Sequence, residues 1–220
     1  MFDQNWDTIN GEAAHQIEYL NQSNQVNVIE ALFLLLMATG KKDAEGGCLS
    51  IPSAAAVREL HRTGTLFLLH APGVYRTHGV QVGNAEKIVY VAPAEDTVEA
   101  HVDDFIAELG VRWPNQNFLQ ITAFCLWRIN WIHPFRNGNG RTARAFAYTC
   151  LCLKIGFVPA GSPTVIDAIM ENKPEYEAAL GTADQTFAET GTADLSAMEA
   201  LVYRLFTAQL STIPDPSLGT

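Results

Sequence analysis

Residues 109–166 contain no aspartate or glutamate, although the 220-residue chain has 24 acids and a formal net charge of −10. Within that stretch lie two runs, 117–132 and 142–155, that are apolar nearly all round at helical spacing. A helix without a polar face is stable only when other elements cover it on every side, so these two belong in the middle of a helical bundle. Burial alone would explain the missing acids. It should exclude arginines too, yet Arg112, Arg128, Arg136, Arg141, Arg144 and Lys154 remain in the stretch. Their survival points to a local anion site. The rest of the chain carries eight basic and 24 acidic residues, a balance that repels nucleic acid and acidic membranes.

The other segments predict an all-α architecture with one hairpin on its rim. Helices are expected over 7–21 and 24–39, the second stopped by Gly40, with Ala31–Ala38 read as a core helix. Ser50 with Pro52 opens the next helix, through Val57, Leu60 and His61. Residues 75–82 and 87–91, separated by Gly83-Asn84-Ala85-Glu86, read as a β-hairpin. A helix over 95–109 is closed by Gly110, and two more are expected near 163–180 and 194–209. No apolar run approaches the ~20 residues of a membrane span, and Met1-Phe2-Asp3-Gln4-Asn5 has neither the basic nor the apolar region of a secretory leader. Cys48, Cys125, Cys150 and Cys152 lie in or near apolar stretches without zinc spacing. A reduced, cytoplasmic location is expected. His15, His61, His70, His78 and His101 show no metal-ligand spacing and are read as structural or surface residues.

Between the two apolar helices sits His133-Pro134-Phe135-Arg136-Asn137-Gly138-Asn139-Gly140-Arg141. Gly138 and Gly140 permit turns that aim successive N–H groups inward. The helix after the loop offers its N-terminal amides and dipole to an anion. Arg141 and Arg144, three residues apart, project from one side of its first turn. His133 stands at the mouth of the loop, titratable near neutrality and suited to taking a proton from a hydroxyl. Phe135 pins the loop to the core, and Arg136 is read as solvated.

HPFRNGNGRTAR resembles the signature of Fic-domain proteins, HPFx(D/E)GNGRxxR. Pro72-Gly73-Val74-Tyr75-Arg76 before the hairpin resembles that family's flap, Glu59-Leu60-His61 its preceding helix, and Tyr176 with Ala179-Leu180 the helix beside its nucleotide pocket. The resemblance covers about residues 50–210. It implies a Fic-type helical bundle with a β-hairpin flap beside the active-site loop, divided as an N-terminal helical extension 1–48, a Fic-like domain 49–212 and a tail 213–220. It also implies transfer of AMP from ATP, with Mg²⁺ or Mn²⁺, to a Ser, Thr or Tyr hydroxyl of a target protein. His133 would then be the base. Gly138, Asn139 and Gly140 would cradle the α- and β-phosphates, Arg141 the β-phosphate, and Arg144 the γ-phosphate. Tyr176 would border the nucleotide. Tyr75, Arg76, Thr77 and His78 would belong to the flap that holds the target segment by strand addition.

One position departs from the signature. The acidic residue that would coordinate the cation is Asn137, whose amide oxygen contributes no charge and holds a hard cation more weakly. A working enzyme whose metal is held mainly by the nucleotide, a variant moving another nucleotide or phosphate group, and a non-catalytic nucleotide-binding module all fit. A toxin whose residues 1–48 are covered or replaced by an antitoxin or other regulator is a further option. Many family members carry an inhibitory helix with (S/T)xxxE(G/N), and Thr8-Ile9-Asn10-Gly11-Glu12 has its spacing but ends in Ala13. Glu12 is the candidate inhibitory residue on that basis, and an amphipathic packing helix is the alternative.

Overall fold

Residues 6–83 and 88–213 are described by a computed structural model of the chain. Eight α-helices are found among them: α1 (Glu12–Thr39), α2 (Ala54–Gly64), α3 (Val98–Arg112), α4 (Phe118–Ile132), α5 (Asn139–Ile155), α6 (Val165–Glu171), α7 (Lys173–Thr190) and α8 (Ser196–Ser211). Strands β1 (Gln81–Gly83) and β2 (Ile88–Val91) form the hairpin, and a 3₁₀ turn, Glu95–Thr97, leads into α3. The all-α architecture with one hairpin stands. None of the helices is long and apolar enough to cross a membrane.

As their composition requires, α4 and α5 form the centre. Ile121, Phe124, Leu126, Ile129 and Ile132 of α4, and Phe146, Leu151 and Leu153 of α5, are at most 1% exposed. Burying a side chain of this size contributes roughly 1.5–3 kcal/mol. Helix α4 starts from a capping box, in which Asn117 Oδ1 accepts the Leu119 and Gln120 amides and Gln120 Oε1 accepts the Asn117 amide. The four cysteines are buried and free of disulfides.

Several expected boundaries move, each for a tertiary reason. The two N-terminal helices are one helix, and residues 7–11 lie outside it. The polar run that suggested a break is helical because its amides bond to other elements. Asn21 Nδ2 donates to the Leu66 carbonyl, Gln22 Nε2 to Asp167 and Gln25 Nε2 to the Leu60 carbonyl. The Ala31–Ala38 run is not wholly core, since Leu34 and Leu35 are exposed. Gly110 does not end α3, which continues to Arg112. That side chain bonds Glu108 and lies over the Phe124 ring. Helix α5 begins at Asn139, three residues earlier than expected. The segment near 163–180 is two helices, α6 and α7, parted at Asn172 ahead of Pro174. Strand β1 covers only the end of the expected 75–82, and the hairpin turn at 84–87 lies outside the described residues.

The short β1 has a clear cause. Arg76 is buried, and its guanidinium donates to the carbonyls of His133, Ile132, His78 and Pro93. Its own amide donates to the Pro134 carbonyl. These bonds draw the segment before β1 onto the α4–α5 loop, and only then does the chain pair, Gln81 with Val91 and Val82 with Tyr90.

Candidate active site

His133 caps the C-terminus of α4 in the left-handed region (φ 50°, ψ 57°). That conformation costs a non-glycine residue about 1 kcal/mol, and the Arg76 bond to its carbonyl (2.8 Å) holds it there. Its Nδ1 lies 3.3 Å from the Asn130 carbonyl. A carbonyl can only accept, so Nδ1 carries the proton and Nε2 keeps its lone pair. Burial pushes the imidazole down to about 4, with the Asn130 carbonyl opposing and the Arg76 charge adding to the fall. At neutral pH this is a neutral base.

The loop beyond it is braced from inside. Phe135 is fully buried. Asn139 is 1% exposed, with Oδ1 accepting the Phe135 amide and Nδ2 donating to the Phe135 carbonyl, both at 2.8 Å. Its side chain therefore supports the loop and is not offered to a ligand. Gly138 is the N-cap of α5 at φ 75°, and a Cβ there would lie 2.6 Å from Thr65 Cγ2. No side chain caps α5, in contrast to α4 and α6. Its first amides and dipole thus face the loop uncovered, the arrangement that binds anions.

Of the two arginines, Arg144 makes no hydrogen bond or ion pair with the other described residues, and its Nη1 lies 3.4 Å from where a Gly140 Cβ would stand. Tyr176 is buried beside it, with its hydroxyl accepting from Asn130 Nδ2 at 2.9 Å. Burial raises that phenol to about 12, so it stays neutral. Arg141 is already occupied. Its Nη2 lies 2.9 Å from Glu18 Oε2 and its Nη1 donates to the Gly64 carbonyl at 2.6 Å. Glu18 in turn accepts from Trp6 Nε1 at 2.6 Å and is 2% exposed.

Residues 51–151 match the family described as Fic/DOC. The chain carries a Fic/DOC-family domain. A Fic family protein from Desulfovibrio desulfuricans superposes with a TM-score of 0.60 at 22% identity, covering 87% of this chain and 55% of that one. A Fic domain containing signalling protein from Bacteroides thetaiotaomicron gives 0.62 at 17%, covering 86% and 69%. The BepC protein of Bartonella tribocorum, a VirB-translocated effector with bound AMPPNP, gives 0.53 at 11%, covering 93% and 94%. At these identities the likeness is one of fold. The chain thus spans little more than half the length of the Desulfovibrio protein. No curated protein matches the sequence.

The N-terminal residues that reach the Fic loop lie outside the matched segment, and the signature did not reveal them. Besides Glu18 and Trp6, Asp7 pairs with Arg136 at 2.9 Å, so that arginine is not simply solvated. The Asp7 and Thr8 amides both donate to the Leu68 carbonyl, strapping this segment across the turn after α2. Glu12, the inhibitory candidate, sits exposed in the first turn of α1, 3.9 Å from His15, while the carboxylate paired with Arg141 is Glu18. Of the flap residues, Thr77 and His78 are exposed. Tyr75 packs against Phe135 and Arg58. Together with the buried Arg76, it anchors the base of the flap on the loop.

The donor set does not suit a divalent cation held by the protein. Asn137 Oδ1 accepts the Gly138 amide at 2.6 Å and brings no charge, and the carboxylate of Glu18 is taken by Arg141. No group of three or more His, Cys, Asp or Glu among the described residues is placed to hold a metal ion. Asn137→Asp would add the missing charge. It is expected to lower the Mg²⁺ concentration that half-saturates nucleotide binding by about tenfold, roughly 1.4 kcal/mol, measured by titration of each form with Mg²⁺ and ATP.

His61 is a second imidazole beside the loop, fully buried and also pushed down to about 4 by that burial. Above the unfolded histidine value of 6.5 neither the native nor the unfolded chain holds a proton on it. Between 6.5 and about 4 the unfolded chain does and the native one does not, so stability falls as pH is lowered through that window. His61 alone accounts for about 3 kcal/mol of loss, with His133 adding in the same direction. Urea midpoints measured from pH 7.5 to 4.5 should show the decline.

Proposed function

We propose that the chain moves the nucleotidyl group of a nucleoside triphosphate, ATP being the expected donor, onto a Ser, Thr or Tyr hydroxyl of a protein. Arg144 is the observation that carries this reading. It is a guanidinium beside the uncapped start of α5 that makes no hydrogen bond or ion pair with the other described residues, a cation placed to meet an incoming anion. The AMPPNP in the Bartonella relative supports a nucleoside triphosphate as that anion.

In this reading His133 Nε2 takes the proton of the hydroxyl as its oxygen attacks the α-phosphorus. The bond from that phosphorus to the bridging oxygen breaks in line, and pyrophosphate leaves with the pair of electrons. The Gly140 amide and the dipole of α5 face the α- and β-phosphates, and the Gly138 amide joins them once it leaves Asn137 Oδ1. Arg144 takes the terminal phosphate, and Arg141 the β-phosphate once Glu18 has let it go. Any divalent cation would come with the triphosphate, held by its oxygens. The exposed edge of β1 would receive the target as an added strand, which aligns the hydroxyl-bearing chain with little sequence reading.

Asn137 favours a second reading, a module that binds nucleotide and transfers nothing. Incubation with α-labelled ATP in a lysate, with Mg²⁺ and separately with Mn²⁺, distinguishes them. Label transferred to protein supports the enzyme. ATP binding without transfer under either metal establishes the module, and the absence of binding removes both.

A further inference from the structure

His61 lies outside the HPFRNGNGR loop, yet it touches three parts of the site. Its ring stacks on Phe135 with centroids 3.6 Å apart and planes within 7°. The Gly73 amide donates to Nδ1 at 2.8 Å, and Nε2 lies 2.9 Å from the Asn137 carbonyl. An amide only donates and a carbonyl only accepts, so the ring is the neutral Nε2–H form with both nitrogens used. It has no capacity left for a ligand and can act only through its neighbours.

What it acts on is a peptide plane. The carbonyl of Asn137 and the amide of Gly138 belong to one trans peptide unit and point in opposite directions. Holding the carbonyl on His61 therefore aims the Gly138 N–H away from α2, to the side where Asn137 Oδ1 meets it and α5 begins. Gly138 has no Cβ to resist rotation about this unit, so some other group must hold it. The Gly73 bond ties the same ring to the turn that leads into the flap.

We propose that His61 is a positioning residue, which sets the Asn137–Gly138 peptide, and with it the start of α5, against the base of the flap. Its link to nucleotide affinity rests on the reading of the loop as a nucleotide site. His61→Phe keeps a ring on Phe135 but loses both hydrogen bonds. His61→Gln keeps a donor and an acceptor but loses the ring. In the full chain, ATP affinity by calorimetry is expected to fall about tenfold or more in His61→Phe and to stay within about threefold in His61→Gln, the loss following the hydrogen bonds rather than the packing. The Gly138 amide resonance of the ligand-free protein should move in His61→Phe and stay near its wild-type position in His61→Gln.

Wild-type ATP affinity in His61→Phe, an unmoved Gly138 resonance in that variant, or affinity that follows melting temperature across both variants overturns the proposal. Should His61→Phe not fold, a folded His61→Gln with affinity more than about tenfold down overturns it equally. If the wild type binds no ATP, the nucleotide reading has failed, and the Gly138 resonance still decides whether His61 places the loop.

Discussion

Transfer to a protein hydroxyl is expected to fall by about 10²–10⁴-fold in His133→Ala, the usual contribution of a positioned base. ATP affinity should change no more than a few-fold. The separation follows from the geometry. Nδ1 of His133 is turned to the Asn130 carbonyl, which leaves Nε2 for a hydroxyl, whereas the groups proposed for phosphate come from the loop, Arg141 and Arg144. Burial holds the imidazole near 4 in the ligand-free protein, so the acid limb of kcat/KM should lie well below pH 6. Bound triphosphate brings negative charge towards the ring and favours its protonated form, so the limb of kcat should lie higher. Quench-flow or single-turnover measurement beside calorimetric binding checks both parts. An equal loss of binding and transfer would make His133 a structural residue of the loop.

Removal of the Glu18 charge should act in opposite directions on stability and on affinity. Glu18 is 2% exposed and satisfies both Trp6 and Arg141. Truncation to alanine therefore removes one half of a buried pair and is expected to cost about 3–5 kcal/mol of folding stability. The same change frees Arg141 for phosphate. A charge-assisted contact is worth about 1.5–3 kcal/mol, so ATP affinity should rise roughly 10–100-fold. Glu18→Gln retains an acceptor for Trp6 and should give much of the gain in affinity with less loss of stability. Calorimetry with ATP and with AMP tests the route, because AMP lacks the β-phosphate assigned to Arg141 and should gain far less. Equal gains for both ligands would mean that Glu18 blocks space rather than engaging Arg141.

The family signature and the buried pair of helices were legible in the sequence for one physical reason: both are local. Apolar residues nearly all round 117–132 leave no continuous face for water, and a Gly-rich cationic loop between two such helices is costly unless something uses it. The core role of Phe135 and a last helix near 194–209, found as α8, needed nothing beyond spacing and composition. Element boundaries needed more. The break expected between 21 and 24 is absent, and Asn21, Gln22 and Gln25 bond there to the turn after α2, to α6 and to α2. Gly110 looked like a stop, yet the packing of Arg112 on Phe124 carries α3 past it.

The placement of acids and histidines was decided by tertiary structure alone. Thr8–Glu12 carries an approximate inhibitory spacing, but a helix that begins at Glu12 turns that carboxylate to solvent and brings Glu18, 123 residues from Arg141, onto the loop. His61 reads as an ordinary helix residue, and its two bonds span 12 and 76 residues. Arg76 reads as a flap residue and is instead the clasp that holds His133 in its left-handed turn. Local composition determines which segments are buried and which loop is cationic. Which acid neutralises which arginine, and which histidine bonds both to the loop and to the turn before the flap, depends on where distant helices bring single donors and acceptors within 3 Å of one another, and periodicity carries no record of that.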